Sequence, residues 1–76
     1  MEARKDNIIM KYKKELNRII TKISKQHNKN RSWAIMWIVN NYEVAYSTLY
    51  GIFKNNNVPK QPRLIEEINK IIKEFR

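Results

Sequence analysis

Apolar residues recur at helical spacing along most of the chain. In the first third, Ile9, Tyr12, Leu16, Ile19, Ile20 and Ile23 fall three or four residues apart, which places them on one stripe of a helix. Lys11, Lys14, Arg18, Lys22 and Lys25 occupy the other side. The spacing predicts a helix over 7–27. Asp6 or Asn7 is the expected cap, and an acid there suits the positive end of the helix dipole. The tract from His27 to Arg31 is polar and without period, so it reads as a loop. Ser32 is the expected N-cap of the next helix.

Trp33-Ala-Ile-Met-Trp-Ile-Val39 is an unbroken apolar run. It is far too short to span a bilayer, and its period fits a buried strand as well as a buried helix. The surroundings decide for a helix, because no second strand candidate exists to pair with it. Asn40 to Glu43 reads as a turn. Val44 to Lys54 reads as a short helix with Leu49, Ile52 and Phe53 inward. Asn55 to Gln61 is a breaker-rich loop, and Pro62 suits the first position of a last helix. Leu64, Ile65, Ile68, Ile71, Ile72 and Phe75 carry that helix over 62–75. One glycine and two prolines are too few for a many-turned β architecture. The expected fold is all-α: one domain over 1–76, with four to five helices and a helix-turn-helix over 33–54.

Composition narrows the chemistry. The chain has 76 residues, so a single modest core must carry its stability. Without cysteine it has neither a disulfide nor a thiolate metal site, and the lone His27 is a poor start for a metal cluster. Glu66 and Glu67 are adjacent and point to different helix faces. No glycine-rich phosphate loop is present. No enzymatic activity and no cofactor are expected. The charged start, Met1 to Asp6, resembles neither a signal peptide nor a membrane span, so the expected address is cytoplasmic.

The net charge of +9 changes the picture most, because it calls for a polyanionic partner. Between Leu16 and Ile65 the only acid is Glu43. The same stretch holds Arg18, Lys22, Lys25, Lys29, Arg31, Lys54, Lys60 and Arg63. The other acids gather toward the two ends. The middle of the chain therefore carries the positive field.

Within that middle lies Ile38-Val-Asn-Asn-Tyr-Glu-Val-Ala-Tyr-Ser-Thr-Leu-Tyr-Gly-Ile52. It resembles the phage-repressor and Cro-type (Xre-like) helix-turn-helix family, which tends to show L-A-x-x-x-G-V-S-x-S-T-I-x-x-I. Ile38-Val39 stand at L-A, Val44 at the turn valine, Ser47-Thr48-Leu49 at S-T-I, and Ile52 at the last apolar position. Pro59 falls where the family usually has a proline before another helix. Glu43 stands where the family often has glycine, Ala45 where it has a capping serine, and Ile35 where it has a phosphate-touching glutamine. The resemblance implies a double-stranded DNA-binding protein. Its expected role is a transcriptional regulator or accessory protein of a phage or mobile element, associated with the nucleoid of a bacterial or phage-infected cell.

On that resemblance, Tyr46, Ser47, Tyr50, Gly51 and Lys54 form the exposed, base-reading side of the second of the two helices. Thr48, Asn55, Asn56, Lys60 and Arg63 are the expected phosphate contacts. The glycine is expected to let the helix backbone approach DNA closely. Trp33, Met36 and Trp37 are more apolar surface than so small a core can bury, so they form a candidate homodimer or partner patch. They also carry the alternative reading, a protein-interaction module (a small helical adaptor or inhibitor) docking through the Trp33–Trp37 helix. A third reading lays the basic helix 7–27 on an anionic membrane. It ranks last because the apolar face of that helix is needed for the core.

Overall fold

The computed structural model describes residues 2–75, with side chains from Ile8 onward. Four helices follow one another: α1 (Glu2–His27), α2 (Arg31–Asn41), α3 (Tyr46–Asn55) and α4 (Pro62–Glu74). The protein is all-α, and no strand occurs among the described residues. The long α1 is the spine, and each of the other three helices packs against it. At 1.5 Å per residue α1 is about 39 Å long, which accounts for the 41 Å long axis of the molecule.

α1 begins five residues earlier than its apolar period predicts. Glu2-Ala-Arg-Lys are strong helix formers, so nothing stops the helix ahead of Asp6. Asp6 and Asn7 thus lie inside α1 and not at its cap, and their side chains lie outside the described residues. The far end of α1 is closed without glycine. Asn28 takes φ 53° in the left-handed region, which asparagine tolerates better than most residues. Its amide donates to the Lys25 carbonyl at 3.3 Å, and the Lys29 amide donates to the Ser24 carbonyl at 2.9 Å. This pair of bonds is a Schellman closure. The Ser24 hydroxyl also donates to the Lys29 carbonyl.

The cap of α2 is Asn30 and not Ser32. The Asn30 Oδ1 accepts from the Trp33 amide at 2.8 Å. Asparagine caps at least as well as serine, and the tight turn at Asn28 delivers Asn30 to the helix entrance first. Ser32 is left exposed in the first turn. α2 then runs to Asn41, two residues into the expected turn, and its last carbonyls are satisfied locally. The Tyr42 amide donates to Ile38 at 2.9 Å, and the Asn41 side chain donates to Trp37 at 2.7 Å. The connection is Tyr42–Ala45, so α3 starts at Tyr46 and not at Val44. Val44 remains in the connection with its side chain buried.

The core is drawn from all four helices. Leu16, Ile19, Ile20 and Ile23 of α1 meet Ala34 and Ile38 of α2, Leu49 and Ile52 of α3, and Ile68, Ile71 and Ile72 of α4. Among the described residues no polar or charged side chain is buried. Full burial of an isoleucine or leucine contributes about 2 kcal/mol, and this one cluster holds the fold together. Ala34 is completely buried, and its small side chain lets α1 and α2 come close. Leu64, Ile65 and Phe53 are only half-buried at the margins. Among the described residues, no helix is long and apolar enough to cross a membrane.

Candidate nucleic-acid interface

α3 divides sharply into two sides. Leu49 and Ile52 drop into the core. Tyr46, Ser47, Tyr50 and Lys54 face outward. Tyr46 is 45% exposed and Tyr50 is 48% exposed, which is high for rings of this size. Their four-residue spacing stacks them on one another, with ring centroids 6.2 Å apart and planes 27° apart.

The tyrosines form one wall of an open cleft of about 380 Å³. Leu49, Phe53 and Lys54 complete the α3 side, and Arg31, Ser32 and Ile35 of α2 form the other. Arg31 is held in place at the mouth. Its guanidinium lies 5.2 Å from the centre of the Phe53 ring and donates to the Asn17 Oδ1 of α1. Phe53 also borders a second, shallower groove with Lys13, Lys14 and Asn17. Lys13 reaches on to the far end of α3, where its Nζ donates to Asn56 Oδ1 at 2.9 Å. Lys60 lines a third groove with Asn56, Asn57 and Val58. The outer side of α3 is thus ringed by Arg31, Lys54, Lys13, Lys14 and Lys60, and no carboxylate lines any of these three grooves.

Gly51 is the clear correction to the expected reading side. It is buried and faces neither solvent nor the cleft. The close approach it permits is internal. A Cβ at this position would come within 3.2 Å of the Asn57 Nδ2. The chain leaves α3 through Asn56, whose φ of 53° is left-handed, and the Asn57 amide returns to the Gly51 carbonyl at 3.0 Å. Gly51 therefore lets the loop fold back over the helix.

The expected phosphate contacts do not form one set. Asn55 and Asn56 sit together at the end of α3 and Lys60 joins them through the third groove. The Asn56 side chain is already engaged by Lys13. Thr48 is half-buried, and its neighbour Ser47 holds the open position. Arg63 is exposed in the first turn of α4 but borders none of the three grooves. Arg31, Lys13 and Lys14 are the residues that sequence reasoning missed. The placement of Arg31 depends on Asn17 and Phe53 and that of Lys13 on Asn56, partners too far along the chain for local pattern to reveal.

Away from α3 the electrostatics reverse. Tyr42, in the connection after α2, donates from its hydroxyl to Glu74 Oε1 at 2.6 Å. The neighbouring Glu43 amide donates to Glu67 Oε2 at 3.0 Å. Burial, then the hydrogen bond to Glu74 and the charges of Glu74 and Glu67, push the Tyr42 phenol up from 10.0 to about 12. Glu43, Glu67 and Lys70 border a shallow depression there with Tyr42. Elsewhere among the described residues, few cations have a carboxylate within ion-pair distance. The one ion pair among the described residues is Arg18–Glu15 at 3.1 Å, and it is solvent-exposed.

The tryptophan patch is also only partly as expected. Trp37 is half-buried and packs edge-on against Phe75 and Tyr42, with centroids 6.2 and 6.5 Å away. Trp33 and Met36 remain open, at 36% and 42% exposure. The His27 ring lies between the two indoles, 5.0 Å from Trp33 and 5.9 Å from Trp37.

No protein-family model, curated protein or solved structure matches the chain.

Proposed function

We propose that this protein binds double-stranded DNA, with α2 and α3 acting as a helix-turn-helix and α3 as the reading helix. The observation that carries this reading is the pair of open, mutually stacked tyrosines on α3 within a ring of cations free of carboxylates. Exposed aromatic rings are unfavourable in water, and an unneutralised positive rim is self-repulsive. One polyanion that also offers apolar base edges relieves both. Arg31, Lys13, Lys14, Lys54 and Lys60 are the phosphate contacts of this reading. Tyr46, Ser47 and Tyr50 touch the groove floor, where a phenol ring can meet a thymine methyl and its hydroxyl a base edge. Gly51 has no part in it. A regulatory or accessory role in a phage or mobile element, close to the nucleoid, is the biological setting that the family resemblance suggests for such an activity.

The test is fluorescence anisotropy with labelled duplex, single-stranded DNA and duplex RNA across a salt series. Duplex DNA should bind most tightly. With about five phosphate contacts, log affinity should fall against log salt with a slope of roughly −4 to −5. Absent binding at low salt, or binding indifferent to salt, removes the proposal. The exposure of Trp33 and Met36 favours a second reading, docking on another protein through α2. Under that reading Tyr46→Ala and Tyr50→Ala leave binding unchanged and Trp33→Ala does not.

A further inference from the structure

α2 is apolar nearly all the way round, and a helix of that kind is normally covered on every side. Its inner side is covered: Ala34 and Ile38 are fully buried. Its outer side is not. Ser32, Trp33, Met36 and Asn40 are exposed, with half-buried Ile35 and Val39 beside them. No charged residue lies between Arg31 and Glu43.

This outer side has a self-complementary pattern. Counting outward from Met36, Trp33 and Val39 lie three residues away on either side, Ser32 and Asn40 four, and Lys29 and Glu43 seven. Within α2, steps of three and four return to the same helix face, while Lys29 and Glu43 stand just beyond its two ends. A second α2 laid antiparallel, with a two-fold axis through Met36, therefore sets Met36 on Met36, Trp33 on Val39 and Ser32 on Asn40, and brings the end that carries Lys29 in one copy to the end that carries Glu43 in the other. Apolar meets apolar, amide meets hydroxyl and cation meets anion.

The end charges point the same way. Within one copy they oppose the dipole of α2. Lys29 and Arg31 stand at its positive N-terminal end, Glu43 lies just beyond its negative C-terminal end, and its first turn holds no acid. In the antiparallel pair each charged end faces the opposite charge and the opposite helix end of the other copy. Glu43, the lone acid of the central stretch, thereby gains a partner. Lys29 and Glu43 are both exposed, and the Lys29 Nζ lies 5.9 Å from the centre of the Trp33 ring, on the outer side of α2.

We infer that the outer face of α2 is a homodimer interface, isologous about Met36, closed at both rims by Lys29–Glu43 pairs between copies. The contact itself buries no like charges, and the remaining positive charge of the two copies is screened at ordinary ionic strength. The interface is centred on Met36 and not on the tyrosines of α3, and it meets the cleft only at its edge, where Ser32 and Ile35 border both.

Sedimentation equilibrium of the full chain, up to concentrations on the order of 100 µM, tests it. A monomer–dimer equilibrium is expected. Met36→Asp should be monomeric with an unchanged helical circular dichroism spectrum, since Met36 is exposed. Lys29→Glu and Glu43→Lys should each raise the dimer dissociation constant roughly tenfold, because the two-fold repeats the pair, and the double variant should restore it. Met36→Cys, in a chain without other cysteines, should oxidise to a linked dimer much faster than Thr21→Cys on the exposed side of α1. A parent chain that is monomeric throughout overturns the inference. So does a charge-exchanged double variant no tighter than the singles, or equal cross-linking at the two cysteine positions. Those last two readouts decide the matter even if Met36→Asp fails to fold.

Discussion

Tyr42 and the Tyr46–Tyr50 pair lie within eight residues of one another, yet they occupy opposite kinds of environment. Tyr42 is half-buried, its ring packs against Trp37 and its hydroxyl is held by Glu74, beside Glu67. Tyr46 and Tyr50 are open, stacked on each other and bordered by Arg31 and Lys54. The first region spends its aromatic residue on fixing the α2–α3 connection to α4. The second leaves its aromatics available. Residue type alone does not separate the two roles. The charge sign of the neighbours and the partner of the hydroxyl do.

The largest expected effect comes from removing what both regions stand on. Leu49 is fully buried under the tyrosine pair and contacts the common core. Leu49→Ala should cost about 3 kcal/mol in urea unfolding, through lost transfer energy and the cavity left behind. DNA affinity should fall with it, because α3 loses its seat.

A pair of matched variants separates the regions. Tyr42→Phe deletes a hydroxyl bonded to a solvent-exposed carboxylate and should cost about 1 kcal/mol. Tyr50→Phe deletes an exposed hydroxyl and should change stability by less than about 0.5 kcal/mol, while altering which duplex is preferred. A stability loss in Tyr50→Phe as large as that in Tyr42→Phe would erase the distinction.

The pH dependence sharpens it further. The folded state raises the Tyr42 phenol from 10.0 to about 12, so folding favours its protonated form. That contribution is present in full below the unfolded value near 10 and is lost as the pH rises toward about 12. The stability gap between the parent chain and Tyr42→Phe should therefore shrink across this window. A gap that stays constant to the top of the window contradicts the Tyr42–Glu74 account.

The smallest effect is expected at Gly51. Alanine gains up to about 1 kcal/mol of helix propensity but must displace the Asn57 amide, which would stand 3.2 Å from the new Cβ. The net change should be within about 1 kcal/mol of zero by urea unfolding, and DNA affinity should be unchanged. A large loss of affinity in a folded Gly51→Ala would return this residue to the reading face.

The helices and the core were legible in the sequence wherever a period ran long enough. The stripes of α1 and α4 locate their buried isoleucines directly. α2 shows no period of its own, and only its neighbours mark it as a helix. The element ends were less legible, because Asn30 and Ser32 are both good caps and the choice depends on the turn at Asn28. At the site, the exposure of Tyr46, Tyr50 and Lys54 follows from the inward positions of Leu49 and Ile52. The burial of Gly51 does not, since a glycine announces a close approach without naming what approaches. Arg31 and Lys13 owe their places to Asn17, Phe53 and Asn56, contacts between helices that a local pattern cannot carry.

A titration of the isotopically labelled protein with a short duplex, followed by backbone amide chemical shifts, tests the central claim most directly. The account predicts that the largest shifts fall on Arg31 and on Tyr46 to Lys54, with smaller ones at Lys13 and Lys60. It predicts that Tyr42, Glu43, Glu67 and Glu74 stay still. Shifts centred on that acidic corner, or no shifts at low salt, would contradict it.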